Sequence, residues 1–227
     1  ALLGAAEEYL GTNEFGTNNY GFYCAWTYGM ARRRANMRGG DGLYCQPMAE
    51  SLLKDGIIPC NTPALTTLCD RLVVGGDTDY PEPQSARVYR AFGNWSYLDQ
   101  LKDYSAYPVL ECPSVTSADQ LWDLQQAGKP TFVCSMEAIH KTGTHPDGFA
   151  IHARNPRDRW AHNMACHGCF IASDGERFFR WSNESWGANH IYNRRFDEVE
   201  SSFRANRLTM RAIGEVRSPQ SVPTFDW

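Results

Sequence analysis

Near Pro108 the hydrophobic pattern of this 227-residue chain changes period. Upstream, apolar residues recur three and four positions apart, the repeat of a helix face. Downstream they gather into short apolar runs divided by turn residues, the repeat of strands. A helix-period half followed by a strand-period half restricts the chain to an α+β architecture in which the two kinds of element segregate. With 42% apolar residues the chain can bury a real core. We read a mainly helical lobe over residues 1–107, a β-rich lobe over 108–227, and a cleft between them as the natural place for a site.

In the first half, Cys24, Tyr28, Ala31 and Ala35 recur at helical spacing and predict a helix that packs this face inward, followed by a break at Gly40 to Gly42. Pro47 before "MAESLLKDG" predicts a second helix with proline at its first position and Gly56 just past its end. Residues 59–105 are rich in turns, "GGDTDYPEP" reads as loop and "NWSYLDQLKDY" as a further short helix. In the second half, "VTSADQLWDLQQAGKP" predicts a helix with Ser117 and Gln120 in capping-box spacing and Gly128 as its stop. "TFVCSM", "HNMACHGCFIA", "RFFRWSN" and "RLTMRAIGE" predict strands, with "SDGE" as a turn. "RRFDEVESSFRANRL" predicts one more helix, a segment suited to docking a partner or a larger assembly.

Charge and composition narrow the function. A net charge of −4 and a pI near 5.9 argue against nucleic-acid binding, since the one basic cluster, Arg32, Arg33, Arg34 and Arg38, falls inside a helix as a solvated face. No run of 18 apolar residues predicts a membrane span, and the first residues lack the charged-then-apolar plan of a signal peptide. Eight cysteines stand at 24, 45, 60, 69, 112, 134, 166 and 169. Cys134 and Cys166 lie in apolar strand patterns, where a thiol serves as a small hydrophobe, and Cys45, Cys60 and Cys69 are near enough to allow one disulfide without fixing it. Neither a compartment nor a localisation follows from this. "CHGC", Cys166 to Cys169, has the spacing of half a zinc site, but no second pair completes it, so no metal is expected.

One cysteine is placed differently. In "NNYGFYCAWTYGMARRR", Cys24 stands where a polar, glycine-containing loop enters a helix. The positive end of the helix dipole and the free N–H groups there favour a thiolate, which is a nucleophile. A thiolate nucleophile works with an imidazole, and the imidazole with a group that orients it. Among six histidines, His162 leads because "WAHNMACHG" runs into a strand pattern ending in glycine, whereas His152 and His167 read as structural or exposed.

At this point the chain resembles the papain-like cysteine peptidases. "HNMACHG" follows the pattern of that family's catalytic-histidine strand, "SNESWG" is similar to its Asn-Ser-Trp-Gly motif, and "LWDLQQAGKPTFVCSMEA" stands before the histidine as in those enzymes. The likeness spans roughly residues 12–192, and His162 lies 138 positions after Cys24, inside the family's spacing. It implies a two-lobed papain-like fold, with a β-sheet or barrel lobe facing a helical one. It implies hydrolysis of a peptide or protein substrate, with Cys24 as nucleophile, His162 as base and no cofactor.

The departures from the family leave several roles open. Asn18 stands where the family has its oxyanion glutamine, with Asn19 as the alternative. The histidine's orienter is Asn183 by residue identity or Glu184 by register counted from Trp186, and Trp186 is expected to shield that hydrogen bond. Pro47, Cys134 and Ala161 are the expected lining of the substrate groove, although Tyr44 and Cys45 replace the family's Gly-Gly pair. "YGFYCAW" lacks the family's first cysteine, so the disulfide that residue makes has no counterpart. Two other readings stand beside the peptidase: a catalytically silent papain-fold binding protein, and a compact cell-wall amidopeptidase that also opens a helix with cysteine.

Overall fold

The computed structural model describes residues 24–37, 43–57, 99, 109–129, 131–159, 162–182 and 191–214. They fall into two compact units, one holding 113–213 and the other the described residues up to Cys112 together with Gly214. In the second unit two helices are described, α1 (Cys24–Arg34) and α2 (Cys45–Asp55). The first unit contains β1 (Ser114–Val115), α3 (Ala118–Gln126), β2 (Thr131–Ser135), β3 (Ile139–Thr144), β4 (Ala150–Arg154), β5 (His162–Ile171), β6 (Arg177–Ser182), β7 (Ile191–Arg195), α4 (Phe196–Arg204) and β8 (Leu208–Ala212).

The eight strands form one sheet in the order β1-β8-β2-β5-β6-β7-β4-β3. Its ladders are antiparallel except for β4 beside β7. Among the described residues the sheet is open, ending at β1 on one edge and β3 on the other.

Alternation divides the side chains of the central strands. Val133, Met164, Cys166, Phe179, Trp181, Leu208, Met210 and Ala212 face the side covered by α3 and α4, where Leu121, Val199 and Phe203 complete the core. A smaller cluster of Ile151, Ala172 and Phe178, with Phe149 and Phe170 against it, lies apart from this core. Trp181 and Phe179 are wholly buried, and side chains of this size are each worth roughly 1.5–3 kcal/mol when removed from water.

The alternation slips once. Cys166 pairs with Trp181 but Gly168 pairs with Arg180, so His167 is the extra residue of a β-bulge. Cys169 then pairs with Phe179 and returns to the same face as Cys166.

Under α4 the core holds charge. Arg194 is fully buried and donates to both Glu137 (3.0 Å) and Glu198 (2.6 Å), and its guanidinium lies 4.4 Å from the centre of the Trp181 ring. Ser202 donates to Glu137 at 2.9 Å, and the Arg154 Nε lies 3.9 Å from the same carboxylate. Two guanidinium groups thus face two carboxylates, which is what makes ions tolerable in such surroundings.

Local signals explain α3 closely. Ser117 Oγ accepts from the Gln120 N–H (3.1 Å), while Gln120 Oε1 accepts from the Thr116 N–H (2.9 Å), one residue before the donor of a standard capping box. At the other end the Gly128 N–H bonds the Gln125 carbonyl and the Lys129 N–H bonds that of Leu124. This Schellman closure requires the left-handed φ of 67° that Gly128 adopts.

The predicted strands correspond to β2, β5, β6 and β8, and the helix expected in "RRFDEVESSFRANRL" is α4. Val199 and Phe203 of α4 are buried on this unit's own sheet. Strands β3, β4 and β7 were not expected; their outward-facing charges obscure the apolar alternation. The glycine break at 40–42, the loop and short helix expected within 59–105 lie outside the described residues, Asp99 excepted.

Replacing Ser117 by Ala removes the α3 cap and should cost about 1 kcal/mol. Urea denaturation should register this as a lower midpoint with an unchanged slope.

Candidate functional site

Cys24 is the first residue of α1. The first turn carries no acidic side chain and the last turn carries Arg32, Arg33 and Arg34. Both features suit the helix dipole: nothing at the start neutralises its positive end, and cations sit at its negative end. The helix is held to α2 by the Trp26 indole donating to the Asp55 carbonyl (3.3 Å), Ser51 Oγ donating to the Thr27 carbonyl (3.4 Å), and Arg34 meeting the Asp55 carboxylate at 2.7 Å. The hydrogen bond that Arg34 donates to the Asp55 carboxylate raises the pKa of Arg34 above its ordinary value.

Burial on α1 is centred beside the predicted face. Ala31 is buried as expected, Tyr28 and Ala35 are half-buried, and Trp26, Thr27 and Met30 are buried with them; Arg32, expected on a solvated face, is turned inward and only 2% exposed. The Arg32 guanidinium donates to the Tyr28 phenol oxygen at 3.1 Å.

Pro47 is the third residue of α2, not the first, because Tyr44 is the N-cap and the helix opens at Cys45. A proline costs no hydrogen bond there, since none of the first N–H groups of a helix has an intrahelical partner. Gly56 closes the helix as predicted, at φ 67°.

His162 is the first residue of β5 and sits directly across from Ser135, the last residue of β2. Next to this pair, Cys134 lies across from Asn163. His162, Asn163 and Cys134 are all half-buried. Strand β6, neighbour to β5, ends at Ser182 opposite Ala165, and Asn183 and Glu184 follow Ser182 in sequence. Those two residues, with Asn18, Asn19, Ala161 and Trp186, lie outside the described residues.

The rival histidines are set elsewhere. His152 is on β4, separated from β5 by β7 and β6. Its Nδ1 lies 3.3 Å from the Asn193 N–H that donates to it, its ring meets Tyr192 edge-on at 5.2 Å, and burial lowers its pKa. His167 is the bulge residue of β5.

The "CHGC" cysteines do not behave as metal ligands. Cys166 is fully buried, and desolvation pushes its thiol up to about 12. Burial also raises Cys169, whose sulfur accepts from Gln126 Nε2 at 3.0 Å.

One polar cluster escaped the sequence reading. His145, in the β3–β4 turn, is buried and reaches Asp174 in the β5–β6 turn, Nε2 to Oδ2, at 3.0 Å. Its ring stacks on Phe149 at 4.6 Å, and Ser173 donates to Asp147 through both its N–H and its hydroxyl. These hydrogen bonds lower the pKa of Asp147, and the Glu176 N–H leads the causes that lower Asp174. His145, Asp174 and Glu176 bring their ligand atoms within 4.8 Å of one another.

Metal chemistry does not fit this trio. The Asp147 N–H donates to His145 Nδ1 at 3.1 Å, so the proton of the neutral ring sits on Nε2, the nitrogen that would have to bind the ion. Glu176 is engaged by Arg195 at 2.8 Å. The cluster is a brace between two hairpin turns. The turn "SDGE" is visible in sequence, but nothing there indicates that it meets the turn that carries His145.

No protein-family model and no curated protein sequence matches the chain. Comparison with solved structures shows a papain-like cysteine protease fold. Xylellain, a cysteine protease from Xylella fastidiosa, superposes with a TM-score of 0.60 at 16% identity, over 95% of this chain and 78% of that one. The proform of Amb a 11, a cysteine protease and major ragweed pollen allergen, superposes with a TM-score of 0.51 at 14% identity, over 93% of this chain. The chain spans 56% of the length of that proform. Identities this low establish the fold.

Two measurements check the side-chain environments. Cys166 should resist iodoacetamide in the native protein at pH 8 and react once denaturant opens the core. For His152, a folded pKa below the unfolded 6.5 means that its contribution to stability is complete above 6.5 and is lost as the pH falls toward the folded value. His152→Gln, compared with the parent by urea denaturation, should therefore show a shallower loss of stability just below 6.5.

Proposed function

We propose that the protein is a papain-like cysteine peptidase in which the two units act as the lobes of that plan, with a barrel-like β lobe. Cys24 attacks the peptide carbonyl, and His162 first holds the thiol proton and then delivers it to the leaving amine. Water then hydrolyses the thioester with His162 as base, releasing the acid and regenerating the thiol. The Cys24 N–H and Asn18 are the oxyanion donors. Asn183 or Glu184 orients the imidazole, and Trp186 covers that bond. Pro47, Cys134 and Ala161 line the groove for a peptide or protein substrate. Among the described residues no helix is long and apolar enough to cross a membrane.

The observation that carries this reading is the placement of Cys24 at the start of a helix on a papain-like fold, with no carboxylate in its first turn to oppose a thiolate. A second support comes from His162, which opens the strand next to the one that leads into Asn183 and Glu184.

A thiol-reactive probe tests the reading. At pH 7, Cys24 should be alkylated at least about 100-fold faster than Cys169. His162→Ala should abolish that preference and lower peptide hydrolysis by about 10²–10⁴. A Cys24 that reacts no faster than the other thiols would leave a papain-fold binding protein.

A further inference from the structure

We infer that Arg194 and Ser135 are positioning residues for His162, through a buried chain of contacts running from the end of β7 to the start of β5; this rests on the reading of His162 as the base. Ser135 faces His162 across the β2–β5 ladder, so the end of β2 sets where the backbone of His162 lies. Ser135 is itself buried and is fastened on three sides. Leu208 of β8 pairs with it, the Glu137 N–H donates to its hydroxyl at 3.0 Å, and His162 completes the row.

Glu137 is the next point of attachment. It is 2% exposed, and its carboxylate accepts from Arg194 Nη2 at 3.0 Å and from Ser202 Oγ at 2.9 Å. The turn from Ser135 to Glu137 carries Met136 on the outside, 57% exposed, so apolar packing of that side chain does little to hold it. The ion pair with Arg194, the Ser202 hydroxyl and the hydrogen bond from the Met136 N–H to the Arg207 carbonyl (3.5 Å) tie the turn to the body of the unit.

Arg194 also lies over Trp181, which precedes Ser182 at the end of β6. One buried guanidinium therefore touches the turn behind the neighbour of His162 and the strand end from which Asn183 and Glu184 depart. Neither Arg194 nor Ser135 need touch the substrate. Their effect is to hold an imidazole to the tolerance that general-base chemistry demands, where a displacement of 1 Å costs about a hundredfold.

The test uses full-length protein labelled with ¹³C-histidine and three variants. Ser135→Ala removes the link between turn and strand while leaving the ion pair. Arg194→Met removes the pair and has the greater risk of not folding. Val115→Ala is a control that loosens the same core from the edge strand β1, which β8 separates from β2. In Ser135→Ala the ring resonances of His162 should move, its titration midpoint should shift by about half a pH unit, and Cys24 alkylation should slow by about tenfold. Val115→Ala should leave all three unchanged at an equal loss of thermal stability. Arg194→Met, where folded, should repeat the Ser135→Ala result.

An unaltered His162 spectrum and titration in folded Ser135→Ala overturns the inference, as does an equal change in Val115→Ala. The histidine resonances are read independently of the thiol. Slow alkylation of Cys24 in the parent protein would count against the peptidase reading, while the His162 spectra would still decide this one.

Discussion

Arg194 and Glu137 form an ion pair with almost no access to water, and much of the first unit is arranged around it. Separating such a pair by deleting one partner costs about 3–5 kcal/mol, because the remaining charge stays in a medium that cannot solvate it. The fold answers with Glu198, Ser202, Arg154 and the face of Trp181, drawn from β4, β6 and α4. Hydrophobic contacts on the same face tolerate small slips of one side chain over another. A charge-assisted fork does not, so the pair fixes the mutual placement of elements that burial alone would leave adjustable.

How much of this was legible depended on the range of the interaction. The start and stop of α3 were readable from Ser117, Gln120 and Gly128, because caps and left-handed turns are decided within a few residues. Strands β2, β5, β6 and β8 were readable from apolar runs buried against helices. Strands β3 and β4 were not, since β3 is an edge whose His140 and Lys141 face water, and the pattern of burial on which such a reading depends is lost there. Pro47 stands third in α2 and not first because its missing N–H costs no intrahelical bond anywhere in the first turn, so proline marks that turn without fixing the residue at which the helix opens. The charge network was invisible because Glu137, Arg194 and Ser202 are distant in sequence, and any one of them alone resembles a surface residue.

The candidate site divides in the same way. Cys24 drew attention by a local property, a thiol at the mouth of a helix, and the described structure begins that helix at Cys24. His162 was chosen by its strand pattern, and it opens a strand of ten residues in the middle of the sheet. What sequence could not supply was the cross-strand company: Ser135 opposite His162, and Asn163 opposite Cys134. Register is a property of two strands at once, and no single run of residues reports it. The same limit hid the brace between His145 and Asp174, two turn residues whose pairing exists because β3–β4 and β5–β6 end at the same level.

The bulge at His167 has an effect on how this strand tolerates change. One surplus residue lets Cys166 and Cys169, three positions apart, drop into the same interior layer, so the outer half of β5 is phased one step away from the inner half. Excising His167 would leave Cys166, Gly168 and Cys169 as consecutive residues opposite Trp181, Arg180 and Phe179, a regular ladder in which every side chain beyond keeps its present face. Strands that differ from this one only by such a surplus residue would thus bury the same letters at the same depth, and the kinship of such chains would survive in their backbones although the alternation in their spelling no longer agrees.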